Sequence, residues 1–286
     1  MQKNSWSDPF EYISLGKLLK QYNIALNKRL GQHFLSDWNT LRRIVELATV
    51  SEEDLVLEIG CGAGTLTTTI AATGASVIGI EIDRSLAPLL TDRFMDHTNV
   101  NIIYDDALNL DFQKLLNQQK NFSQLKIIAN VPYYITSALV EKFLLEIPFA
   151  ETIVVLVQQE AGEHFTAKSG KSFGPLTVLC QTYGEVREVF KVKPSLFLPP
   201  PQVISSVIQM TSRKLPVVLD YLAFYDFLQS CFKQRRKTLI NNLHHAFPQF
   251  EKSSLEKILQ ELGLELAIRP DRVDVKTFCN LFKYFC

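Results

Sequence analysis

Between residues 38 and 193, short apolar segments alternate with amphipathic ones, and this alternation constrains the fold more than any other feature. The apolar segments predict strands at 55–59, 76–81, 100–104, 125–130 and 152–158. The amphipathic segments predict helices near 37–49, 64–73, 84–96, 111–118 and 136–145. Strands that are apolar on both faces are typical of a parallel sheet covered by helices. We therefore predict an α/β domain with a doubly wound, mostly parallel sheet.

A proline-rich segment, KPSLFLPPPQV at 193–203, ends this alternation and is a candidate domain joint. Beyond it, residues 218–286 have the pattern of short helices without a strong strand signal. We expect three parts: a basic N-terminal segment (1–36), a catalytic domain (37–200) and a small C-terminal helical domain (201–286).

The charge distribution along the chain is uneven, although the net charge is zero. Residues 1–36 have a net charge of +3, residues 37–194 of −7 and residues 195–286 of +4. This asymmetry favours a polyanion bound by the two ends of the chain, beside a central domain with a different task. The alternative is a chance fluctuation of charge.

The cysteines and the apolar segments indicate in which cellular compartment the protein is expected. The five cysteines form no C-x-x-C pair, so we predict neither disulfides nor a metal site, and a reducing cytoplasm is expected. No apolar run approaches the roughly 18 residues that a membrane span needs. The first residues lack the apolar core of a secretory signal.

A glycine-rich loop follows the first predicted strand, in LEIGCGAGTLT at 57–67. Gly60, Gly62 and Gly64 permit a tight turn and a close backbone approach to a ligand. No Gly-Lys-Ser/Thr follows, which excludes a nucleotide triphosphate loop, and Thr65 occupies the third glycine position of the dinucleotide fingerprint. The pattern resembles the S-adenosylmethionine loop of class I methyltransferases.

Two carboxylates follow the next two strands. Glu81 ends the second strand and can accept both ribose hydroxyls of a cofactor. Asp106 follows the third strand and can accept from an adenine amine. The alternative, a glycine loop that is merely a structural turn, does not explain both carboxylates in register with it.

The fourth strand ends in NVPYYI at 130–135. Transfer of a methyl group to an adenine N6 amine requires an aligned nucleophile, because the amine lone pair is delocalised into the ring. The Asn130 side chain and the Val131 carbonyl can accept the two amine hydrogens, Pro132 stiffens the turn, and Tyr133 can stack on the base. The pattern resembles the (N/D/S)-P-P-Y signature of amino-methyltransferases. The alternative is an asparagine cap with core tyrosines.

Taken together, the motifs resemble one family. KRLGQHFL (28–35), LEIGCGAGTLT, NVPYYI, FLPPPQVISSV (197–207) and CFKQRRKTLINNL (231–243) occur in the order and spacing of the bacterial small-subunit ribosomal RNA adenine dimethyltransferases, the kasugamycin-sensitivity dimethylases. This resemblance implies a class I, Rossmann-like S-adenosylmethionine domain with a helical C-terminal domain. It also implies dimethylation of N6 in two adjacent adenines near the 3′ end of 16S ribosomal RNA. The expected partner is an immature small subunit, and we expect a monomer without a membrane partner.

The resemblance also assigns residues. It implies cofactor contacts at the seven positions His33, Leu35 (through its backbone), Gly60, Gly62, Glu81, Asp106 and Asn130. Phe197 resembles the second aromatic wall of the adenine pocket, for which the alternative is a core phenylalanine. The sequence departs from the family at Ile204, where aspartate is usual, and at Val131, where leucine is usual. It also has YDDAL at 104–108, where GDAL is commoner in the family. The departure at Ile204 leaves one family interaction open.

A basic segment near residue 235 is a candidate RNA contact. Leu228, Phe232, Leu239 and Leu243 recur at helical spacing, which predicts one amphipathic helix. Arg235 falls within this apolar stripe and is expected to face another domain or a phosphate. The other candidate phosphate contacts are Lys233, Arg236, Lys237 and, near the N-terminus, Lys28 and Arg29. The alternative is a merely solvated basic face.

Three other functions remain open. A large-subunit RNA adenine methylase shares the fold and the asparagine motif, but FLPPPQV and QRRKTLINN favour the small-subunit family. An RNA-binding ribosome assembly factor, with incidental methylation, differs in class and is not excluded. A nicotinamide oxidoreductase is disfavoured by Thr65 and by the lack of a candidate hydride-transfer acid.

Overall fold

A computed structural model of the chain describes residues 13–27, 30–119, 121–130, 132–213 and 217–285. The strands in these ranges are β1 (Phe34–Leu35), β2 (Leu55–Ile59), β3 (Ser76–Glu81), β4 (Val100–Tyr104), β5 (Leu125–Ala129), β6 (Thr152–Gln158), β7 (Gly184–Val192), β8 (Phe197–Leu198) and β9 (Ser205–Ser212). The α-helices are α1 (Leu15–Gln21), α2 (Trp38–Leu47), α3 (Thr65–Ala71), α4 (Ala87–Phe94), α5 (Phe112–Asn117), α6 (Tyr133–Glu146), α7 (Gln159–Thr166), α8 (Pro175–Tyr183), α9 (Tyr221–Phe232), α10 (Leu239–Ala246), α11 (Lys252–Glu261) and α12 (Val275–Phe282).

The central sheet, as far as the described residues show it, has seven strands in the order β4-β3-β2-β5-β6-β9-β7. The first five are mutually parallel, whereas β9 runs antiparallel to both β6 and β7. The residues of β2, β5 and nearly all of β6 are buried, as expected for strands covered by helices on both faces. A doubly wound α/β sheet is therefore confirmed.

All five predicted strands are present, the fourth ending at Ala129, but β7 and β9 were not predicted. In β7, charged side chains alternate with partly buried ones because it is an edge strand. Its pattern lacks the continuous apolar run of the inner strands. In β9, serine, glutamine and threonine interrupt the apolar residues and weaken the strand signal.

The expected domain boundary between residues 200 and 201 is too early, because β9 lies inside the sheet between β6 and β7. The C-terminal helices begin after this strand, and α9 packs against α8 and α6. One hydrophobic cluster joins Ile153 of the sheet to Phe224 and Phe278 of these helices. The helices are thus attached to the catalytic sheet through a shared apolar core.

The described part of the N-terminal segment packs on the same sheet domain. Leu18 of α1 belongs to a buried cluster with Leu89 and Leu90 of α4. β1 pairs antiparallel with β8, with Leu35 opposite Phe197. No helix in the described part of the chain combines the length and apolar character that crossing a membrane requires.

Candidate active site

Four candidate residues meet where four parallel strands end. Gly60 follows β2, Glu81 ends β3, Asp106 follows β4, and Asn130 follows β5. All four line one cavity of about 210 Å³. The strand order reverses between β2 and β5, and clefts at such switch points are where open α/β sheets bind ligands. The sheet topology therefore brings these distant sequence positions into one site.

The loop after β2 depends on glycines with left-handed backbone angles. The φ angle is +81° at Gly60, +54° at Gly62 and +80° at Gly64, a region that disfavours other residues. A Cβ on Gly62 would also lie 2.7 Å from a carbon of the Phe34 ring. The loop can therefore turn tightly under Phe34 and present its backbone to the cavity.

Glu81 is 5% exposed and is fixed by backbone hydrogen bonds. Its Oε2 accepts from the N–H of Gly62 and its Oε1 from the N–H of Asp83, each at 2.8 Å. Burial raises the pKa of Glu81, while the bonds from Asp83 and Gly62 oppose this shift. Each oxygen has a second lone pair, so the carboxylate can accept the two hydroxyls of a ribose.

Asp106 is held at the cavity wall by the turn that follows it. Its Oδ1 accepts from the N–H of Leu108 and its Oδ2 from the side-chain amide of Asn109, each at 2.9 Å. Ile82, which is 50% exposed, lines the same cavity and offers an apolar surface to a flat ring. The carboxylate and this apolar wall suit an adenine that is recognised through its amine.

Asn130 and Tyr133 lie at the start of α6. The backbone N–H of Asn130 donates to the carbonyl of Ile59 at 3.3 Å, which ties it to the end of β2. Pro132 precedes the first helical residue, Tyr133, and both line the cavity with Asn130. Val131, the other predicted amine contact, lies outside the described residues.

Two neighbouring side chains hold the Tyr133 ring. Its hydroxyl is 2.6 Å from the buried hydroxyl of Ser205. Burial raises the pKa of Tyr133, and the bond with Ser205 opposes the shift. The His33 ring also lies nearly parallel to the Tyr133 ring, at 19° with centroids 6.2 Å apart. These contacts fix an aromatic face beside Asn130.

The predicted contacts of the N-terminal segment also reach the cavity. Nδ1 of His33 donates to the carbonyl of Pro199 at 2.7 Å, since that carbonyl can only accept. The carbonyl of Leu35 accepts from the Thr65 hydroxyl at 3.0 Å. His33 and Leu35 both line the cavity. Lys28 and Arg29 lie outside the described residues.

Phe197 does not line this cavity, and its role as the second aromatic wall of the adenine pocket stays a prediction from the resemblance. Phe197 is 4% exposed and packs in a cluster with Leu35 and Leu66. The cavity that it lines is a different one, beside α1. The β1–β8 pairing places Phe197 opposite Leu35. The burial of Phe197 favours the alternative of a core phenylalanine.

The basic segment is not one helix, as its apolar spacing predicted. Helix α9 ends at Phe232 and α10 begins at Leu239. The buried side-chain amide of Asn242 holds the turn between them. Its Oδ1 accepts from the N–H of Gln234, and its Nδ2 donates to the carbonyls of Gln234 and Thr238. The four apolar residues of the stripe are all buried, so the pattern identified the core face but not the break.

The charged residues of this turn have different environments. Arg235 donates to the carbonyls of Lys171 at 2.6 Å and Phe173 at 2.8 Å, which anchors the loop between α7 and α8. Arg235 therefore faces the catalytic domain, one of the two options that the sequence left open. Lys233, Arg236 and Lys237 are exposed.

Three residues at the site were not singled out from the sequence. Ser205 contacts Tyr133 across 72 positions, and nothing local signals this. Ile82 is a single apolar residue after a strand, and no local sequence pattern indicates its place in the cavity wall. Glu58 is fully buried in β2 beside the glycine loop, and a charged residue within an apolar strand is a signal that was available.

The walls of the cavity fit S-adenosylmethionine by their chemistry. Acceptors for ribose hydroxyls and for an adenine amine are oriented by hydrogen bonds, at Glu81 and Asp106. The glycine loop exposes backbone, and Ile82 supplies an apolar face. These features suit a nucleoside with a compact polar tail.

The chain matches the family model described as ribosomal RNA adenine dimethylase over residues 23–285. It is 38% identical to the ribosomal RNA small subunit methyltransferase A of Natranaerobius thermophilus, with 96% of each chain covered. It is 37% identical to the protein of the same name from Listeria welshimeri, over 94% of this chain and 93% of that one.

Solved structures with the same fold agree with this match. A dimethyladenosine transferase from Plasmodium falciparum has a TM-score of 0.75 and 26% identity, over 88% of this chain and 97% of that one. The 23S rRNA methyltransferase ErmE has a TM-score of 0.68 and 26% identity, over 87% of this chain and 98% of that one. By sequence and by fold, this chain belongs to the ribosomal RNA adenine dimethylase family.

Proposed function

We propose that this protein dimethylates N6 of two adjacent adenines near the 3′ end of 16S ribosomal RNA in the small subunit. Its family and the name of its relatives, which specifies the small subunit, support this proposal. S-adenosylmethionine supplies the electrophilic methyl group. The observation that carries the proposal is that Asn130 and Tyr133 line the same cavity as Gly60 and Glu81.

We assign the binding of the target amine to Asn130. Its side-chain oxygen accepts one N6 hydrogen, and the sequence pattern alone assigns the other hydrogen to the carbonyl of Val131. These acceptors orient the amine lone pair and stabilise the positive charge that develops on nitrogen. Tyr133 stacks on the extruded adenine, an interaction worth about 1–3 kcal/mol. Its bonded hydroxyl lets the ring meet the base without reorienting.

The cofactor is assigned to the other side of the cavity. Glu81 accepts the ribose hydroxyls, and Asp106 accepts from the adenine amine. The backbone of Gly60 and Gly62, which lines the cavity, would hold the amino-acid tail. His33 and Leu35 close the cavity from the N-terminal segment, together with Asn130.

The ribosomal RNA backbone is assigned to exposed cations. Lys233, Arg236 and Lys237 are candidates for phosphate contacts, because exposed cations bind phosphate without reading sequence. Lys28 and Arg29 are candidates from the sequence alone. We further propose that the protein acts as a monomer in the cytoplasm, on an immature small subunit during its late assembly.

A methylation assay tests the proposal. Purified protein and S-adenosylmethionine are incubated with small subunits that lack the modification, with large subunits as the control substrate. Mass spectrometry of the digested RNA is expected to detect dimethyladenosine at two adjacent small-subunit positions. Asn130→Ala should abolish this product while leaving the fold intact, as circular dichroism can show.

The assay also separates the alternatives. Product on large subunits only would indicate a large-subunit methylase. Tight binding to small subunits without product would indicate an assembly factor. Affinity for NAD, with none for S-adenosylmethionine, would refute the cofactor assignment.

A further inference from the structure

Tyr134 is an exposed aromatic residue at the cavity that the proposed function leaves without a role. Its side chain is 69% exposed, yet it lines the same cavity as Asn130 and Tyr133. Of the large apolar side chains that are exposed in the described part of the chain, Ile82 is the other one that lines this cavity. An exposed aromatic ring at the rim of a binding cavity can contact a ligand there, and Tyr134 has this position.

The backbone explains why two adjacent tyrosines have different environments. They are the first two residues of α6, and successive helical residues point about 100° apart. Tyr133 turns inward to Ser205, whereas Tyr134 turns outward beside the Gly31 turn. A Cβ on Gly31 would lie 3.7 Å from Cε1 of Tyr134, so this turn lies against one edge of the ring. The rest of the ring faces solvent at the rim.

The substrate chemistry identifies what this ring meets. If the proposed function holds, one adenine enters the cavity and leaves the base stack of its strand. Its neighbour in the strand then loses a stacking partner at the rim of the cavity. An exposed tyrosine offers a π-face there, and every base can stack on such a face. Such stacking neutralises no phosphate, because the ring carries no charge.

We infer that Tyr134 is a second stacking platform, which binds the base adjacent to the adenine in the cavity. This inference rests on the proposed function and adds a substrate contact to it. Because a strand runs through the site in one direction, the platform takes the neighbour on one side only, so one of the two adjacent adenines occupies it while the other is in the cavity. Tyr134 thereby helps to define which base enters, and it belongs to substrate binding rather than to cofactor binding.

The test compares Tyr134→Ala with Tyr134→Phe on unmodified small subunits. Base–aromatic stacking corresponds to about 5-fold to 150-fold in affinity, so Tyr134→Ala should raise KM for the subunit about fivefold or more. Tyr134→Phe keeps the ring and should retain the wild-type KM. Both variants should bind S-adenosylmethionine with wild-type affinity in calorimetry, which also shows that the site is folded.

Phe149→Ala is the matched control. Phe149 is 58% exposed just beyond the opposite end of α6, so its removal deletes an exposed ring away from the cavity. It should leave KM unchanged. The slope of subunit affinity against salt concentration should stay the same in Tyr134→Ala, because no phosphate contact is lost.

Two results would overturn the inference. A wild-type KM for Tyr134→Ala would exclude a substrate contact, and a KM for Tyr134→Phe as high as that of Tyr134→Ala would assign the effect to the hydroxyl. Neither result touches the proposed function, which fails only if the wild-type protein makes no dimethyladenosine on small subunits. The two failures are therefore distinguishable.

Discussion

Glu58 makes the stability of this protein depend on pH. It is 0% exposed at the fourth residue of β2. Burial raises the pKa of Glu58 from 4.5 to about 8; the Thr67 hydroxyl opposes this shift, and the charge of Glu81 adds to it. The folded protein therefore keeps Glu58 protonated at pH values where the unfolded chain ionises it.

The sign and size of the effect follow from these two pKa values. Below pH 4.5, Glu58 is protonated in both states, and the full stability is present. As the pH rises from 4.5 to about 8, only the unfolded chain releases the proton, so the free energy of unfolding falls by about 1.4 kcal/mol per pH unit. The accumulated loss is about 3 kcal/mol at pH 7 and about 4 kcal/mol at pH 8.

Glu58→Gln should remove this dependence, because an amide of the same shape does not titrate. Urea unfolding at pH 5, 6, 7 and 8 measures the difference in the free energy of unfolding between variant and wild type. We expect this difference to shift in favour of the variant by about 2–3 kcal/mol between pH 5 and 7. The cost of burying the amide is constant with pH and does not enter this shift.

Glu46→Gln is the matched control, since Glu46 is an exposed glutamate of α2. It changes the same atoms at the protein surface. If Glu58→Gln and Glu46→Gln give the same pH dependence as the wild type, Glu58 is already ionised in the folded protein. The argument from burial would then be refuted.

Three further predictions concern the site and its RNA contacts. Ser205→Ala removes the hydrogen-bond partner of the Tyr133 hydroxyl, a loss of about 1 kcal/mol, and should raise KM for the small subunit about fivefold. Ser205→Thr keeps a hydroxyl and should restore the wild-type KM. An unaltered KM in Ser205→Ala would show that Ser205 does not position the Tyr133 ring. Arg236→Ala should reduce the slope of log affinity against log salt concentration by about one, whereas an unchanged slope would mean a solvated side chain. Gly79→Ala would place a methyl group in overlap with the Cys61 sulfur of the glycine loop. It should therefore lower the free energy of unfolding by about 1–3 kcal/mol in urea unfolding and weaken cofactor affinity in calorimetry. Wild-type values for both would show that the loop can shift to accommodate the methyl group.

The sequence alone determined the parallel half of the sheet and the cofactor side of the site. The five parallel strands are mainly apolar runs, and that pattern is local, so it can be recognised without knowing the neighbours. Gly60, Glu81, Asp106 and Asn130 each follow or end such a strand. Because parallel strands end at one edge of the sheet, their convergence follows from the topology rule rather than from any particular contact.

The tertiary structure decided what depends on residues far apart in the chain. Strand β9 lies between β6 and β7 although its sequence has no strong strand pattern, since its pairing partners supply the stabilisation. Phe197 is buried opposite Leu35 in the β1–β8 pairing, and Arg235 is directed to the carbonyls of a distant loop. Ser205 reaches Tyr133 only because the sheet brings β9 beside the start of α6. Local periodicity encodes elements, whereas side-chain partners depend on which elements become neighbours, and that information is absent from any short stretch of sequence.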